Sequence, residues 1–85
     1  MHIAWLVISK LILQKAFGNH VKKLREQKGF TQVDVSSRMG KDQQSLQRVE
    51  SGNVSPNLYY LYNLCVGLEV TLDELLRFEI PRKKK

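Results

Sequence analysis

Gln43-Gln44-Ser45-Leu46-Gln47-Arg48-Val49-Glu50 reads as a short helix with two unlike edges. Leu46 and Val49 are three apart, so they share a face and can anchor the helix to a core. Gln43, Gln44, Gln47 and Arg48 fall mostly on the other side. Their amide and guanidinium heads are the groups that pair bidentately with adenine and guanine edges in a DNA major groove. Asp42 stands before the stretch as an N-cap, and Ser51-Gly52 after it as a stop. A polar surface helix would have the same composition, so the flanking chain decides.

Immediately upstream, Phe30-Thr31-Gln32-Val33-Asp34-Val35 is a compact helix-start signal. Thr31 caps, Asp34 answers it three residues later, and Phe30 with Val35 forms a hydrophobic staple. That helix runs to about Met39, and Gly40-Lys41-Asp42 turns the chain into the Gln-rich helix. Two short helices joined by a three-residue turn opening on Gly form a helix-turn-helix pattern. Further upstream, Leu13, Phe17, Val21 and Leu24 recur at helical spacing from about Leu11 to Lys28, with Gly18 a point of possible breakage and Gly29 the stop. Downstream, residues 53–57 read as a loop, with Pro56 as the first position of the next helix. Leu58, Leu61, Leu64, Cys65 and Leu68 form its inner stripe, flanked by Tyr59, Tyr60 and Tyr62. Thr71-Leu72-Asp73-Glu74 is a second capping box with Val70 and Leu75 as staple, opening a helix to about Phe78, before Pro81.

The whole chain bounds the answer. Its 85 residues make one small domain with a modest core, and 42% apolar residues suit a folded globule. The net charge of +6 favours a polyanionic partner, yet Arg82-Lys83-Lys84-Lys85 supplies four of the fourteen basic residues. Without that tail the balance is ten against eight, so the placement of charge matters more than its sum. The one cysteine, Cys65, excludes an internal disulfide, fits a reducing cytoplasmic setting and reads as a small core residue. His2 and His20 lack partners at metal-ligand spacing, and no phosphate loop or nucleophile motif is present. No metal, cofactor or enzymatic activity is expected. The apolar stretch from Ile3 to Phe17 is fifteen residues long and holds Lys10, Gln14 and Lys15. That is too short for a membrane span, and neither a basic start nor a cleavage site marks a signal peptide. Residues 1–12 read as an apolar, helical extension lying on the domain or on a second subunit; 13–78 form the domain, and 79–85 a basic tail.

Residues 13–78 resemble the phage repressor and Cro (Xre) family of helix-turn-helix DNA-binding domains. The resemblance rests on an ordered set: Arg25 … Gly29-Phe30-Thr31-Gln32, Gly40, Val49-Glu50-Ser51-Gly52, Ser55-Pro56 and Gly67-Leu68-Glu69-Val70-Thr71-Leu72-Asp73-Glu74-Leu75-Leu76. It implies an all-α, five-helix, lambda-repressor-like fold. It further implies that Gln32 holds a phosphate and braces the recognition helix, that Ser51 and Asn53 reach the DNA backbone, and that Arg25 and Glu50 form a buried structural ion pair. The chain departs from the family pattern at Val35-Ser36, where Leu-Ala is usual, at Lys41, and at Ser51, which replaces a frequent basic residue.

Phosphate contacts set affinity and register, while base contacts select sequence. Lys22, Lys23 and Lys41, with the helix N-termini at Thr31 and Asp42, supply the first; Gln43, Gln44, Gln47 and Arg48 supply the second. So short a reading helix covers few base pairs, and a homodimer on a palindrome doubles them. The expectation is a repressor acting on double-stranded DNA. Its rivals are an antitoxin with a toxin partner, a restriction-modification controller, and a protein-interaction module that no longer reads DNA.

Overall fold

Each helix among the described residues begins where a short polar side chain takes up a free backbone N–H. Ser9, Thr31, Asp42, Asn57 and Thr71 each sit in extended backbone and accept from the residue three further on. The computed structural model describes residues 9–81. Within them lie α1 (Lys10–Gln27), α2 (Gln32–Met39), α3 (Gln43–Glu50), α4 (Leu58–Leu68) and α5 (Leu72–Leu75), and no strand. The fold is the all-α, five-helix arrangement expected. The apolar run before Ser9 and the basic tail from Arg82 onward lie outside the described residues. Lys10, Leu11 and Ile12, assigned above to the extension, belong to α1.

The core joins Phe17 and Val21 of α1, Val35 and Met39 of α2, Leu46 and Val49 of α3, and Leu64 and Leu68 of α4. Val70 and Leu75 close it from below, which is the staple read beside the second capping box. α2 packs chiefly on α4, and α1 on α3. Both crossings are close. A Cβ at Gly67 would stand 2.8 Å from the Val35 carbonyl oxygen, and one at Gly18 only 2.2 Å from that of Val49. Gly18 therefore does not break α1, which is continuous through it; the residue is small because α3 lies against it. Ser36 is also buried at the α2 crossing and donates its hydroxyl to the Val33 carbonyl at 3.3 Å.

Four expectations near the helix ends are corrected. α4 starts at Leu58, because Asn57 and not Pro56 makes the cap, its Oδ1 accepting from the Tyr60 N–H at 2.8 Å. Leu58 is not inward: it is 75% exposed, and the inner stripe runs Tyr60, Leu64, Leu68 at four-residue spacing with Leu61 and Cys65 beside it. α5 ends at Leu75, not near Phe78. The Phe78 N–H donates to the Leu76 carbonyl, which leaves the helical ladder and turns Phe78 onto Phe17, 5.7 Å between ring centroids. At the other end, Leu13 is exposed, so the inward stripe of α1 opens at Phe17.

The two capping boxes make stability depend on acid. Hydrogen bonds from the Thr31 backbone and hydroxyl hold the Asp34 carboxyl below its ordinary 3.8, and the Thr71 backbone N–H holds that of Glu74 below 4.5. A lowered folded-state value stabilises fully above the ordinary value and is lost as pH falls through the folded one. Asp34→Asn should therefore lower the urea midpoint at neutral pH, with the difference from wild type shrinking below about pH 4. A difference unchanged by acid would contradict this.

Candidate nucleic-acid interface

α3 shows one face to the core and one to solvent. Leu46 is 0% exposed and Val49 is buried, while Gln43, Gln44, Gln47 and Arg48 are all exposed. Its N-terminus is set by Asp42, whose Oδ1 accepts from the Ser45 N–H at 2.8 Å. Gly40, at φ 70°, provides the left-handed turn that brings α3 back across α2. A second tie comes from α4: the Tyr60 and Ser45 hydroxyls are 3.0 Å apart. Burial and nearby acidic groups push the Tyr60 phenol up, Ser45 opposing them, so it stays neutral.

A polar network locks the opposite end. Arg25 grips Glu50 with both arms of its fork, Nε to Oε2 at 2.7 Å and Nη2 to Oε1 at 3.0 Å. Its Nη1 donates to the Phe30 carbonyl at 2.9 Å, which ties in the loop before α2. Gln32 Nε2 donates to Glu50 Oε1 at 2.9 Å, and Gln43 Nε2 to Gln32 Oε1 at 3.3 Å. The network thus runs α1, α3, α2 and back to the first residue of α3. The Glu50 side chain is only 4% exposed. The hydrogen bond from Arg25 to Glu50 raises the Arg25 pKa against the cost of burial, so the guanidinium stays charged. Among the described residues, no buried side-chain N or O lacks a partner. Both ends of α3 are thus tied down, so little of its backbone is left to order on contact with a ligand.

The helix-turn-helix family profile HTH_3 matches residues 21–75. The chain belongs to the HTH_3 family. A relative in Sinorhizobium fredii, the HTH-type transcriptional regulator y4dJ, is 38% identical over 75% of this chain and 83% of its own length. The HTH-type transcriptional regulator YqaE of Bacillus subtilis is 33% identical over 79% of this chain, which spans 58% of that relative. Among solved structures, the restriction-modification controller protein C.AhdI of Aeromonas hydrophila superposes with a TM-score of 0.71 at 27% identity, covering 74% of this chain and 96% of that one. The chain is thus an Xre/Cro-type member of a DNA-binding class of transcription regulators, as its sequence resemblance implied.

Within the HTH_3 frame the remaining site residues fall unevenly. Lys41 is exposed at the α2–α3 turn, its Nζ 5.7 Å from the centre of the Tyr59 ring. Asn53 is exposed after α3, its N–H donating to the Arg48 carbonyl at 3.0 Å. Ser51 is differently placed: its hydroxyl donates to the Gln47 carbonyl at 2.8 Å, and its N–H to the same carbonyl at 2.9 Å. Both donors are occupied, so the hydroxyl must rotate away before it can reach a phosphate. At about 100° per residue, Lys22 lies near Gly18 and Arg25 on the α3-facing flank of α1, whereas Lys23 lies opposite Val21 and away from the core.

One basic residue escaped the sequence reading. Lys15 is exposed and aligned with Lys22 two turns earlier, and its backbone crowds Gly52: a Cβ there would be 2.7 Å from Lys15 Cα. Gln14 Nε2 also donates to the Gly52 carbonyl at 3.0 Å. The seven-residue spacing of Lys15 and Lys22 was the available signal. Cys65 is half-buried with its thiol pushed up by burial, a packing residue without thiolate character. Among the described residues no His/Cys/Asp/Glu cluster could hold a metal, and no helix is long and apolar enough to cross a membrane.

Proposed function

We propose that the chain is a sequence-specific regulator of transcription that binds double-stranded DNA. It lays α3 in the major groove and binds a palindromic operator as a homodimer, acting as a cytoplasmic repressor. The observation that carries this is the solvent face of α3: Gln44, Gln47 and Arg48 are exposed on a helix whose other face is buried and whose two ends are tied down. Gln43 reads a base while its Nε2 donates to Gln32 Oε1, and Gln32 braces α3 and holds a phosphate. Lys15, Lys22, Lys41 and Asn53 ring this face and contact phosphates; Lys23 adds charge from farther off, and Ser51 joins after rotation. The homodimer is supported by the uncovered stripe Leu58, Tyr62, Val66 on α4. Repression needs only a bound dimer in the path of polymerase.

A duplex enriched from random DNA supplies the test. Gln44→Ala should cost ~1–3 kcal/mol on that duplex and little on random sequence. Lys22→Ala should weaken both alike and reduce the salt slope by about 1. If Gln44→Ala weakened both duplexes equally, the assignment of α3 to base reading would fail.

A second reading keeps DNA binding and changes the biology. Likeness to a restriction-modification controller over nearly all of that protein's length favours a controller role. An antitoxin of the same fold would instead bring a toxin as a second protein on purification. The exposed amide and guanidinium heads of α3 disfavour a module that has lost DNA reading.

A further inference from the structure

Away from α3, an apolar groove of about 360 Å³ runs along the first two turns of α1. Leu13 and Phe17 of α1, Leu61 of α4, and Leu76, Phe78 and Ile80 beyond α5 line it. Leu76 is 47% and Ile80 51% exposed, so large apolar side chains stand open to water. Contiguous apolar surface of this kind marks a contact site.

We propose that Ile3–Ile8 of the same chain fills this groove. Ile3-Ala4-Trp5-Leu6-Val7-Ile8 carries no charged side chain, matching a lining that is mostly apolar, with Lys10, Gln14 and Ser55 its polar members. The segment is tethered at the right place. Ser9 caps α1 in extended backbone, φ −68° and ψ 153°, so the chain leaves the helix axis there. Lys10 and Leu13, the next residues on that side, already line the groove. From Lys10 to Phe17 the wall is about 10 Å long at 1.5 Å per residue. Six residues span up to about 20 Å extended, enough to turn back and lie along it. A short tether holds a segment at roughly millimolar effective concentration, which favours it over the same segment of a second copy. The groove lies among α1, α4 and the chain after α5, so covering it leaves the solvent face of α3 free.

Trp5 is the chain's only tryptophan, so its fluorescence reports on this segment alone. The measurement is the Trp5 emission of the full chain, diluted through the monomer range with sedimentation as the control. Ile80→Asp and Leu76→Asp are measured beside it, with circular dichroism to verify the fold. Both substituted positions are surface positions, and either one places a carboxylate in the groove wall. The expected result is a blue-shifted emission that persists on dilution and is lost in both variants while their helical signal remains. Three results would each overturn the proposal. They are emission like that of free tryptophan in water, a blue shift lost on dilution as if a second copy supplied the cover, and a blue shift that survives in a folded variant.

Discussion

Glu50→Ala is expected to destabilise the domain by about 3–5 kcal/mol, and Arg25→Ala by a similar amount. Either change leaves its partner as an uncompensated charge, and the Glu50 side chain is almost wholly out of water. The loss extends past one bond. Without Glu50, both arms of the Arg25 fork and the Gln32 amide lose acceptors. Without Arg25, the Phe30 carbonyl loses its donor as well. In a domain of this size each kcal/mol moves Tm by about 4–8 °C. Urea and thermal melts should therefore show the two singles close to the limit of folding. Removing both charges together, as Arg25→Met with Glu50→Leu, should recover most of the loss, because no lone charge then remains buried. A single variant costing under about 1 kcal/mol would show the pair to be effectively solvated. The same energetics govern how binding data are read: loss of DNA affinity in Arg25→Ala or Glu50→Ala reports unfolding.

Gly18→Ala sets two effects in opposition. Helix propensity alone predicts a gain of roughly 1 kcal/mol, since Gly18 lies inside an eighteen-residue helix. Packing predicts a loss. The new Cβ would meet the Val49 carbonyl oxygen at 2.2 Å and that of Glu50 at 2.8 Å. Both obstacles are main chain at the C-terminal end of α3, so no flexible side chain can yield. α1 and α3 must separate, which stretches the Arg25–Glu50 contact that bridges them. The expected net change is a loss at the upper end of the ~1–3 kcal/mol typical of overpacking. Lys23→Ala, on the outward side of the same helix, should change stability by less than about 0.5 kcal/mol. A stabilised Gly18→Ala variant would show that the two helices are not in close contact.

What the sequence made legible follows from how local each signal is. The capping boxes at Thr31 and Thr71, the Asp42 cap and the buried pair Leu46 and Val49 are set by residues three or four apart, and all stand as read. The Arg25–Glu50 pair spans twenty-five residues and came through family resemblance, not periodicity. What misled the reading depends on neighbours distant in sequence. Gly18 looks like a weak point until α3 is placed against it. Leu58 fits the apolar stripe of α4 until Tyr60 takes the inward place at the first turn. Phe78 is half-buried without being helical because Phe17 lies within reach. At the site, exposure of the Gln and Arg heads was readable from α3 alone. The occupied hydroxyl of Ser51 and the approach of Lys15 to Gly52 were not, since both depend on how the turn after α3 closes.

On the proposed function, two copies of α3 read sequence in successive major grooves. Selection from random duplex DNA by the purified chain tests this. The prediction is an enriched palindrome with half-sites about 10 base pairs apart, one helical turn. Salt-sensitive binding with no enriched sequence would contradict it, because charge alone would then account for the affinity.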